Sequence, residues 1–306
     1  PHCTFINTAG AVSIEGLMEV AESGIPTFSI GAERGQPILY IVVGPSLAEL
    51  TRKLQRIVGT TPLPPAWALG YQQCRWGYES AEHLFHLEKT FRELEFPVDG
   101  LWLDIEYMED YKVFSFEKKN FPDPPAAIRK LRERGHPVVP IIDPGVKQQR
   151  GYDVYDDGCV NDVFCRNPQG LHFVGTVWPG KTVFPDFSTS RGRAWWAGRF
   201  AKWAGNGIHG AWLDMNDAST GAADNQYMLF DEGRASHETH HNQYGLGMAM
   251  ASHDGFLAAH PHRRPFLLTR SSFTGGSRFA AVWTGDNWSN HHNLKNSIPC
   301  TLNLAL

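Results

Sequence analysis

The chain has 306 residues, of which 42% are hydrophobic and 12% aromatic, enough to bury one large domain or two ordinary ones. Its formal net charge is −4, with acidic and basic residues scattered along the chain, and this excludes the basic surface that nucleic acids and anionic membranes bind. No stretch of about 18 apolar residues predicts a membrane span. The expected partner is a neutral small molecule.

The five cysteines include no C-x-x-C pair, so they predict neither a disulfide framework nor a zinc knuckle. They favour a reducing compartment, and we expect a cytoplasmic location. The first residues, Pro1-His2-Cys3-Thr4, do not resemble a secretory signal. The chain begins without Met and ends inside an apolar helical pattern at residues 302–306, so we expect a piece of a longer protein.

The predicted elements begin with a β-like run at residues 37–43, which is typical of the end of an all-β unit too short to fold alone. Ser46-Leu47-Ala48-Glu49 is a capping box that opens an amphipathic helix, and Gly59 ends that helix. The proline-rich residues 61–65 then form a linker. We expect residues 1–60 to be the end of an N-terminal domain plus a connecting helix.

From residue 62 onward, apolar strands alternate with helices. Strands are predicted at 66–72, 101–103, 138–142, around Trp212, and at 265–269 and 280–283. Helices are predicted after Ser80, before Gly135, across 195–203 and over 246–257, and a longer insertion covers about 150–190. This alternation counts as six β/α units.

Apolar strands joined by helices predict a parallel sheet covered on both faces, either an open doubly wound sheet or a (β/α)8 barrel of the TIM type. The barrel is preferred because acidic residues recur at successive strand ends instead of clustering at one switch point. Six units leave two strands missing, so we expect residues 61–306 to form an incomplete barrel.

Three predicted strands end in carboxylates, at Asp104, Asp214 and Asp286, and we expect them to share one site. Two carboxylates on either side of a sugar's anomeric carbon suffice to hydrolyse a glycosidic bond, and Asp214 and Asp286 are the preferred pair. The alternative for each is an Asp that caps a loop. Trp212 and Trp283 offer flat faces for a sugar ring, although core tryptophans have the same pattern in a sequence.

Other polar and aromatic residues follow strand ends or lie in the insertion. Arg270 ends the fifth strand, where its planar fork could hold a carboxylate or a sugar hydroxyl, or form a salt bridge at the rim. Asp104 and Asp143 could accept hydrogen bonds from sugar hydroxyls or cap loops. Trp178 could reach over the strand ends as an aromatic wall.

A competing hypothesis is a zinc hydrolase, because residues 237–241 match the letters H-E-x-x-H. No apolar helical face precedes this segment, so we prefer histidines hydrogen-bonded in a loop or at a helix start. We therefore expect no metal and no organic cofactor.

The strand-end motifs, taken in order over residues 63–287, resemble glycoside hydrolase family 31, the retaining α-glucosidase family. The matching motifs are Leu63-Pro64-Pro65 with Leu69-Gly70-Tyr71, Trp102-Leu103-Asp104-Ile105-Glu106-Tyr107, Pro140-Ile141-Ile142-Asp143-Pro144, Val177-Trp178-Pro179-Gly180 with Phe184-Pro185-Asp186-Phe187, Trp212-Leu213-Asp214-Met215-Asn216, His241-Asn242 with Tyr244-Gly245-Leu246, Arg270-Ser271-Ser272-Phe273 and Trp283-Thr284-Gly285-Asp286-Asn287.

The resemblance implies a retaining exo-α-glucosidase of carbohydrate metabolism, in which Asp214 is the nucleophile and Asp286 the general acid/base. It implies that the two carboxyl groups lie about 5 to 5.5 Å apart, that no cofactor is needed, and that the N-terminal remnant comes from a β-sandwich domain. The substrate would be an α-glucoside oligosaccharide or glycan. The implied sugar-binding residues are Asp104, Ile105, Ile141, Asp143, Trp178, Trp212, Met215, Arg270 and Trp283.

The chain departs from the family at Asp217, where the family usually has Glu, and it lacks the family's last barrel strands, a histidine of the sugar pocket on those strands and the C-terminal β domains. Two alternatives to an α-glucosidase therefore stay open beside the zinc hydrolase. One is an α-xylosidase or α-galactosidase of the same family, and the other is a carbohydrate-binding relative or fragment without turnover.

Overall fold

The computed structural model describes residues 2–7, 12–20, 26–32 and 38–305, and side chains within 30–32 and 38–302. Its strands are β1 (His2–Asn7), β2 (Val12–Val20), β3 (Pro26–Ala32), β4 (Ile38–Val43), β5 (Gln72–Gln73), β6 (Gly100–Leu103), β7 (Val138–Ile142), β8 (Val146–Lys147), β9 (Gly175–Val177), β10 (Gly180–Val183), β11 (Ala211–Leu213), β12 (Leu267–Thr269) and β13 (Ala281–Val282). Its α-helices are α1 (Leu47–Val58), α2 (Ala81–Glu93), α3 (Pro124–Glu133), α4 (Asp153–Val160), α5 (Ser190–Ala204), α6 (His237–His240), α7 (Tyr244–Ala259) and α8 (His291–Ala305).

A six-stranded parallel sheet organises residues 72–282 in the order β5, β6, β7, β11, β12, β13. Each strand pairs in parallel with the next barrel strand along the chain. The strand order never reverses, whereas a doubly wound sheet must reverse at its switch point. The predicted incomplete (β/α)8 barrel with six units is therefore confirmed.

Strands β6 and β7 are buried along their whole length, as expected where the barrel interior covers one face and helices cover the other. On the outside, α5 contributes Trp196 and Trp203, both almost completely buried, and Trp196 Nε1 donates a hydrogen bond to Ser252 Oγ in α7 at 2.9 Å. Two of the three tryptophans of α5 thus lie in the core, and Trp196 links α5 to α7.

The predicted helix boundaries are set by local capping. Ser46 Oγ accepts a hydrogen bond from the amide of Glu49 at 3.3 Å and opens α1, which ends at Gly59 with φ of 89°. Ser80 Oγ likewise accepts from the amide of His83 at 3.1 Å and opens α2. These short-range bonds explain why the sequence was sufficient to predict both helix starts.

The predicted strand at 66–72 is mostly wrong. Residues Ala66–Leu69 form a 3-10 helix, and only Gln72–Gln73 pair as a strand. The run Ala-Trp-Ala-Leu is apolar because Trp67 packs against Phe266, with ring centroids 5.3 Å apart, and not because it lies inside the sheet. An apolar run this short does not distinguish a strand from a helical turn. The strands expected at 265–269 and 280–283 are also shorter, at 267–269 and 281–282.

The insertion at about 150–190 contains α4 and the hairpin of β9 and β10, which joins β8 in a three-stranded antiparallel sheet. The buried carboxylate of Asp186 accepts hydrogen bonds from the amides of Ser188 and Glu232, at 3.1 Å each, and so ties the insertion to the segment after β11. Near the N-terminus, β1 pairs with β4 and β2 with β3, both antiparallel. No helix among residues 38–305 is long and apolar enough to cross a membrane.

Candidate active site

The register of the parallel sheet brings four predicted site residues into one row. Leu213 in β11 pairs with Ile142 in β7 and with Thr269 in β12, and Thr269 pairs with Val282 in β13. The residue that follows each of these is the next in register, at the carboxyl end of the sheet. The row consists of Asp143, Asp214, Arg270 and Trp283.

Aromatic side chains form the layer below and beside this row. The Trp212 ring lies 6.2 Å from the ring of Trp102 and 5.7 Å from that of Trp283, measured between centroids. Ile141 pairs with Trp212 in the sheet, and Asp104 follows Leu103 at the end of β6. The side chains that the sequence proposed for a sugar pocket thus come from five neighbouring strands, β6, β7, β11, β12 and β13.

Asp214 is buried, with 8% of its surface exposed, and faces one cation. Nη1 of Arg270 lies 3.0 Å from Asp214 Oδ1 as an ion pair, but without the alignment of a hydrogen bond. Burial raises the pKa of Asp214, the charge of Arg270 and a hydrogen bond from the Met215 backbone oppose that rise, and the charges of Asp286 and Asp217 add to it. The carboxylates of Asp214 and Asp286 are therefore close enough to interact electrostatically.

Arg270 also bonds to the loop that follows Asp214. Its Nη2 donates to Asp217 Oδ1 at 2.7 Å and to Ser219 Oγ at 2.8 Å. Burial raises the pKa of Asp217, but the hydrogen bond and charge of Arg270 outweigh burial and leave that pKa lowered. Asp217, although shorter than the Glu that is usual in the family, thus reaches the guanidinium of Arg270.

Asn216, a residue that the sequence analysis did not single out, holds the Asp214 loop to the end of β12. Its buried side chain donates from Nδ2 to Thr269 Oγ1 at 2.7 Å and accepts from the amide of Ser271 at 3.0 Å. Met215, between Asp214 and Asn216, has a left-handed backbone with φ of 55°. Such strained residues cluster at active sites and persist only where their surroundings hold them. The signal was present in the Asp-Met-Asn motif itself.

Asp143 differs from the other carboxylates of the row in its charge. It is 4% exposed, and its Oδ1 has no hydrogen-bond partner among the described residues. Burial and the neighbouring charge of Asp214 raise the pKa of Asp143 to about 8. A carboxyl group with this pKa is mostly protonated at neutral pH, so Asp143 contributes little negative charge beside Asp214.

The outer part of the site is more open. Asp104 accepts a hydrogen bond from the amide of the buried Ile105 at 2.8 Å, and burial raises the Asp104 pKa. Trp178, 47% exposed, lies in the turn between β9 and β10 with its ring 6.2 Å from Trp76 and 6.3 Å from Tyr111. Asp286 is exposed. The buried Asp214 thus lies at the base of the site, and Asp286 is open to water.

The histidines of residues 237–241, which suggested a zinc site, pack against other aromatic rings. His237 begins α6 and is buried, with its ring 5.6 Å from Phe230 and 4.8 Å from His241. Burial, and then the charge of His241, lower the pKa of His237 to about 4. Over residues 38–302, where side chains are described, no three His, Cys, Asp or Glu side chains are grouped as a metal site.

A polar cavity of about 530 Å³ adjoins the loop after Asp214, with Met215, Asp217, Ser219 and His241 in its lining. Its far end meets a second cavity of about 450 Å³ at Ala223 and Asp224. The loop that binds Arg270 therefore borders solvent-accessible space.

Comparison with known proteins gives the family. The sequence model of the glycosyl hydrolases family 31 TIM-barrel domain matches residues 61–306. The chain is 39% identical over 284 residues to Alpha-glucosidase 2 from Bacillus thermoamyloliquefaciens, covering 91% of this chain and 36% of that protein. It is 33% identical over 311 residues to human Neutral alpha-glucosidase AB, covering 98% of this chain and 33% of the relative. The chain thus spans about a third of the length of these relatives.

Solved structures agree with the sequence comparison. A chain in the crystal structure of the ER glucosidase II heterodimeric complex matches with a TM-score of 0.84 at 30% identity, covering 96% of this chain and 34% of that one. The family 31 alpha-glucosidase from Bacteroides thetaiotaomicron matches with a TM-score of 0.81 at 36% identity, covering 97% and 48%. The chain therefore belongs to glycosyl hydrolase family 31, through the TIM-barrel domain of that family.

Proposed function

We propose that this chain carries the catalytic barrel of a retaining exo-α-glucosidase, which releases terminal non-reducing α-linked glucose. The observation that carries the proposal is the buried Asp214 at a strand end, paired through one oxygen with Arg270 and bordered by Trp212 and Trp283. The relatives named as alpha-glucosidases support glucose as the sugar. The net charge of −4 fits a neutral substrate.

In the first step, an ionised oxygen of Asp214 attacks the anomeric carbon and forms a glycosyl ester. The bond from that carbon to the leaving oxygen breaks, and Asp286 gives its proton to this oxygen. Arg270 stabilises the Asp214 carboxylate before the attack, because its guanidinium is 3.0 Å away in a mostly buried site.

In the second step, the Asp286 carboxylate takes a proton from water, and the resulting hydroxyl oxygen attacks the same carbon and releases Asp214. The exposure of Asp286 suits this role, since it must meet both a leaving group and water. The two inversions at one carbon retain the α configuration. We expect the two carboxyl groups to lie about 5 to 5.5 Å apart in the substrate complex.

The sugar itself would lie among the side chains of the strand ends. Trp212 and Trp283 offer ring faces, and Asp104 at the end of β6 can accept hydrogen bonds from hydroxyl groups. In this proposal Ile105, Ile141 and Met215 shape the apolar walls, the buried Asp143 supports the pocket from β7, and the exposed Trp178 lies at the mouth. A pocket closed at its base favours removal of single terminal residues.

The proposal is tested by trapping the full-length protein with 5-fluoro-α-glucosyl fluoride, followed by mass spectrometry of its peptides. We expect a glucosyl adduct on the peptide that contains Asp214, and none in Asp214→Asn. Asp286→Ala should still be labelled, because fluoride leaves without a proton, yet should fail to hydrolyse maltose. Labelling of another carboxylate in the wild type would refute the assignment.

A substrate series separates glucose from the other sugars of this family. Release of p-nitrophenol from the α-glucoside should exceed release from the α-xyloside and the α-galactoside. Equal or faster cleavage of the xyloside would show that glucose is not the preferred sugar. Sugar binding without any cleavage would show that the protein has a binding role and not a catalytic one.

A further inference from the structure

The two terminal nitrogens of Arg270 contact different carboxylates. Nη1 faces Asp214 alone at 3.0 Å, whereas Nη2 bonds to Asp217 and Ser219 at 2.7 and 2.8 Å and lies 3.5 Å from the sulfur of Met215. We propose that Asp217 and Ser219 are positioning residues that hold Arg270 in this divided arrangement, so that Asp214 keeps one oxygen available for attack. The inference rests on the proposed function of Asp214.

The chemistry of arginine explains why such a restraint is needed. Arginine and a carboxylate form a two-point pair with parallel hydrogen bonds whenever geometry permits, and this is among the strongest pairings between side chains. A two-point pair would engage both oxygens of Asp214 and weaken it as a nucleophile. Asp217 opposes this pairing because it already accepts a hydrogen bond from Nη2, the second nitrogen that a two-point pair with Asp214 would use.

Ser219 completes the arrangement, since its hydroxyl oxygen lies 2.8 Å from Arg270 Nη2 and donates to Asp217 Oδ1 at 2.8 Å. The three groups thus form a closed set of hydrogen bonds around Nη2. Networks of this kind restrict every member, and a charged donor and acceptor make the bonds stronger than neutral ones.

The loop that carries Asp217 and Ser219 is held by contacts that do not involve Arg270. The amide of Ser219 donates to the carbonyl of Met215 at 3.1 Å, and His241 Nε2 lies 3.0 Å from the carbonyl of Asp217. Beyond the turn, the amide of Thr176 in β9 donates to the carbonyl of Thr220 at 3.1 Å. The loop can therefore restrain Arg270 instead of following it.

The charges around Asp214 decide what removal of Asp217 would do. Asp143 faces Asp214 from β7, Asp286 from the segment after β13, Arg270 from β12, and Asp217 from its own loop. Asp217 raises the pKa of Asp214 and Arg270 lowers it. Loss of the Asp217 charge therefore leaves Arg270 acting on Asp214 with less opposition, and the pKa of Asp214 falls.

The test is the pH dependence of kcat/KM for maltose in the full-length protein, comparing wild type with Asp217→Asn. The amide keeps the size of the side chain and an oxygen that accepts from Arg270, so only the charge changes. We expect the acidic limb to move to lower pH by about one unit, at the low end of the effect of a neighbouring charge. The plateau should fall about 10-fold, as an interaction worth about 1.4 kcal/mol would require.

Three further variants separate positioning from folding. Asp217→Glu restores the charge and should return the acidic limb to the wild-type pH. Ser219→Ala keeps the charge and should lower the plateau a few-fold with no shift of the limb. Asp254→Asn removes a carboxylate on α7 whose side chain is 72% accessible. This variant should change neither the acidic limb nor the plateau.

An acidic limb that stays in place in Asp217→Asn, or that moves equally in Asp217→Glu, would overturn the inference. Thermal unfolding of each variant checks that the protein is folded. If the wild type hydrolyses no α-glycoside, the proposed function fails. If the wild type is active and only the shift is missing, the positioning role alone fails.

Discussion

Asn216 offers the most direct test of how the Asp214 loop is held. Its side chain is completely buried and makes two hydrogen bonds to the end of β12, to Thr269 Oγ1 at 2.7 Å and from the Ser271 amide at 3.0 Å. Asn216→Ala removes both bonds and leaves a small gap. The loop then loses its Asn216 link to the end of β12 and keeps the bonds that Arg270 donates to Asp217 and Ser219.

The expected cost follows from these two bonds. Each hydrogen bond contributes about 1 kcal/mol, and the amide of Ser271, which is partly buried, loses its partner at a further cost of up to about 1 kcal/mol. The free energy of unfolding of the barrel should therefore fall by about 2 to 3 kcal/mol, which lowers its Tm on the order of 5 °C. Activity should fall more steeply than stability, because Met215 needs its surroundings to keep a left-handed backbone.

The assay is thermal unfolding followed by fluorescence, together with kcat for maltose at a temperature where both proteins are folded. Asn161→Ala is the matched control, since its exposed side chain also makes two hydrogen bonds, at 2.9 and 3.1 Å, but only to Asp157 on its own helix. The control should lose less than about 0.5 kcal/mol. A Tm for Asn216→Ala within a degree of that control would refute the reasoning.

Three other changes have defined outcomes. The pKa of Asp143 is raised to about 8 in the folded protein from an ordinary value near 3.8. The protonated Asp143 therefore stabilises the fold fully below pH 4, and this contribution is lost as the pH rises towards 8. Urea unfolding at pH 5 and pH 8 should show a larger fall in the free energy of unfolding for wild type than for Asp143→Asn. Gly221→Ala should destabilise the loop, because φ is +68° and the new Cβ would collide with the carbonyl oxygen of Thr176. Gly233→Ala is the control, since φ is +91° and the nearest atom to the new Cβ is 3.6 Å away, so only backbone strain is added. A smaller loss of Tm for Gly221→Ala than for Gly233→Ala would contradict this reasoning. Arg270→Lys should lower kcat/KM for maltose roughly 100- to 1,000-fold, since one ammonium cannot serve both ends of the guanidinium, and a loss under 10-fold would exclude that role.

The class of fold and most of its elements could be predicted from the amino-acid sequence. The helix starts at Ser46 and Ser80 depend on hydrogen bonds to residues three positions away, so they can be predicted without the tertiary structure. The recurrence of apolar strands that end in Asp104 and Asp214 indicated a parallel barrel, because such strands must be covered on both faces and their ends must share one rim. The ordered motifs also identified the family that the comparisons confirm.

The assembly of the site depends on contacts between strands that are far apart in the chain. The pairing of β7, β11 and β12 aligns Asp143, Asp214 and Arg270, and register between strands far apart in the chain is not written in local periodicity. The sequence therefore left Arg270 between a sugar contact and a rim salt bridge, and it placed Asn216 in a matching motif without indicating what its side chain binds. Carboxylates that look alike in the sequence have different pKa values in the fold, because burial raises the pKa of Asp143 and Arg270 lowers that of Asp217. Long-range packing sets these environments, and through them the chemistry of the site.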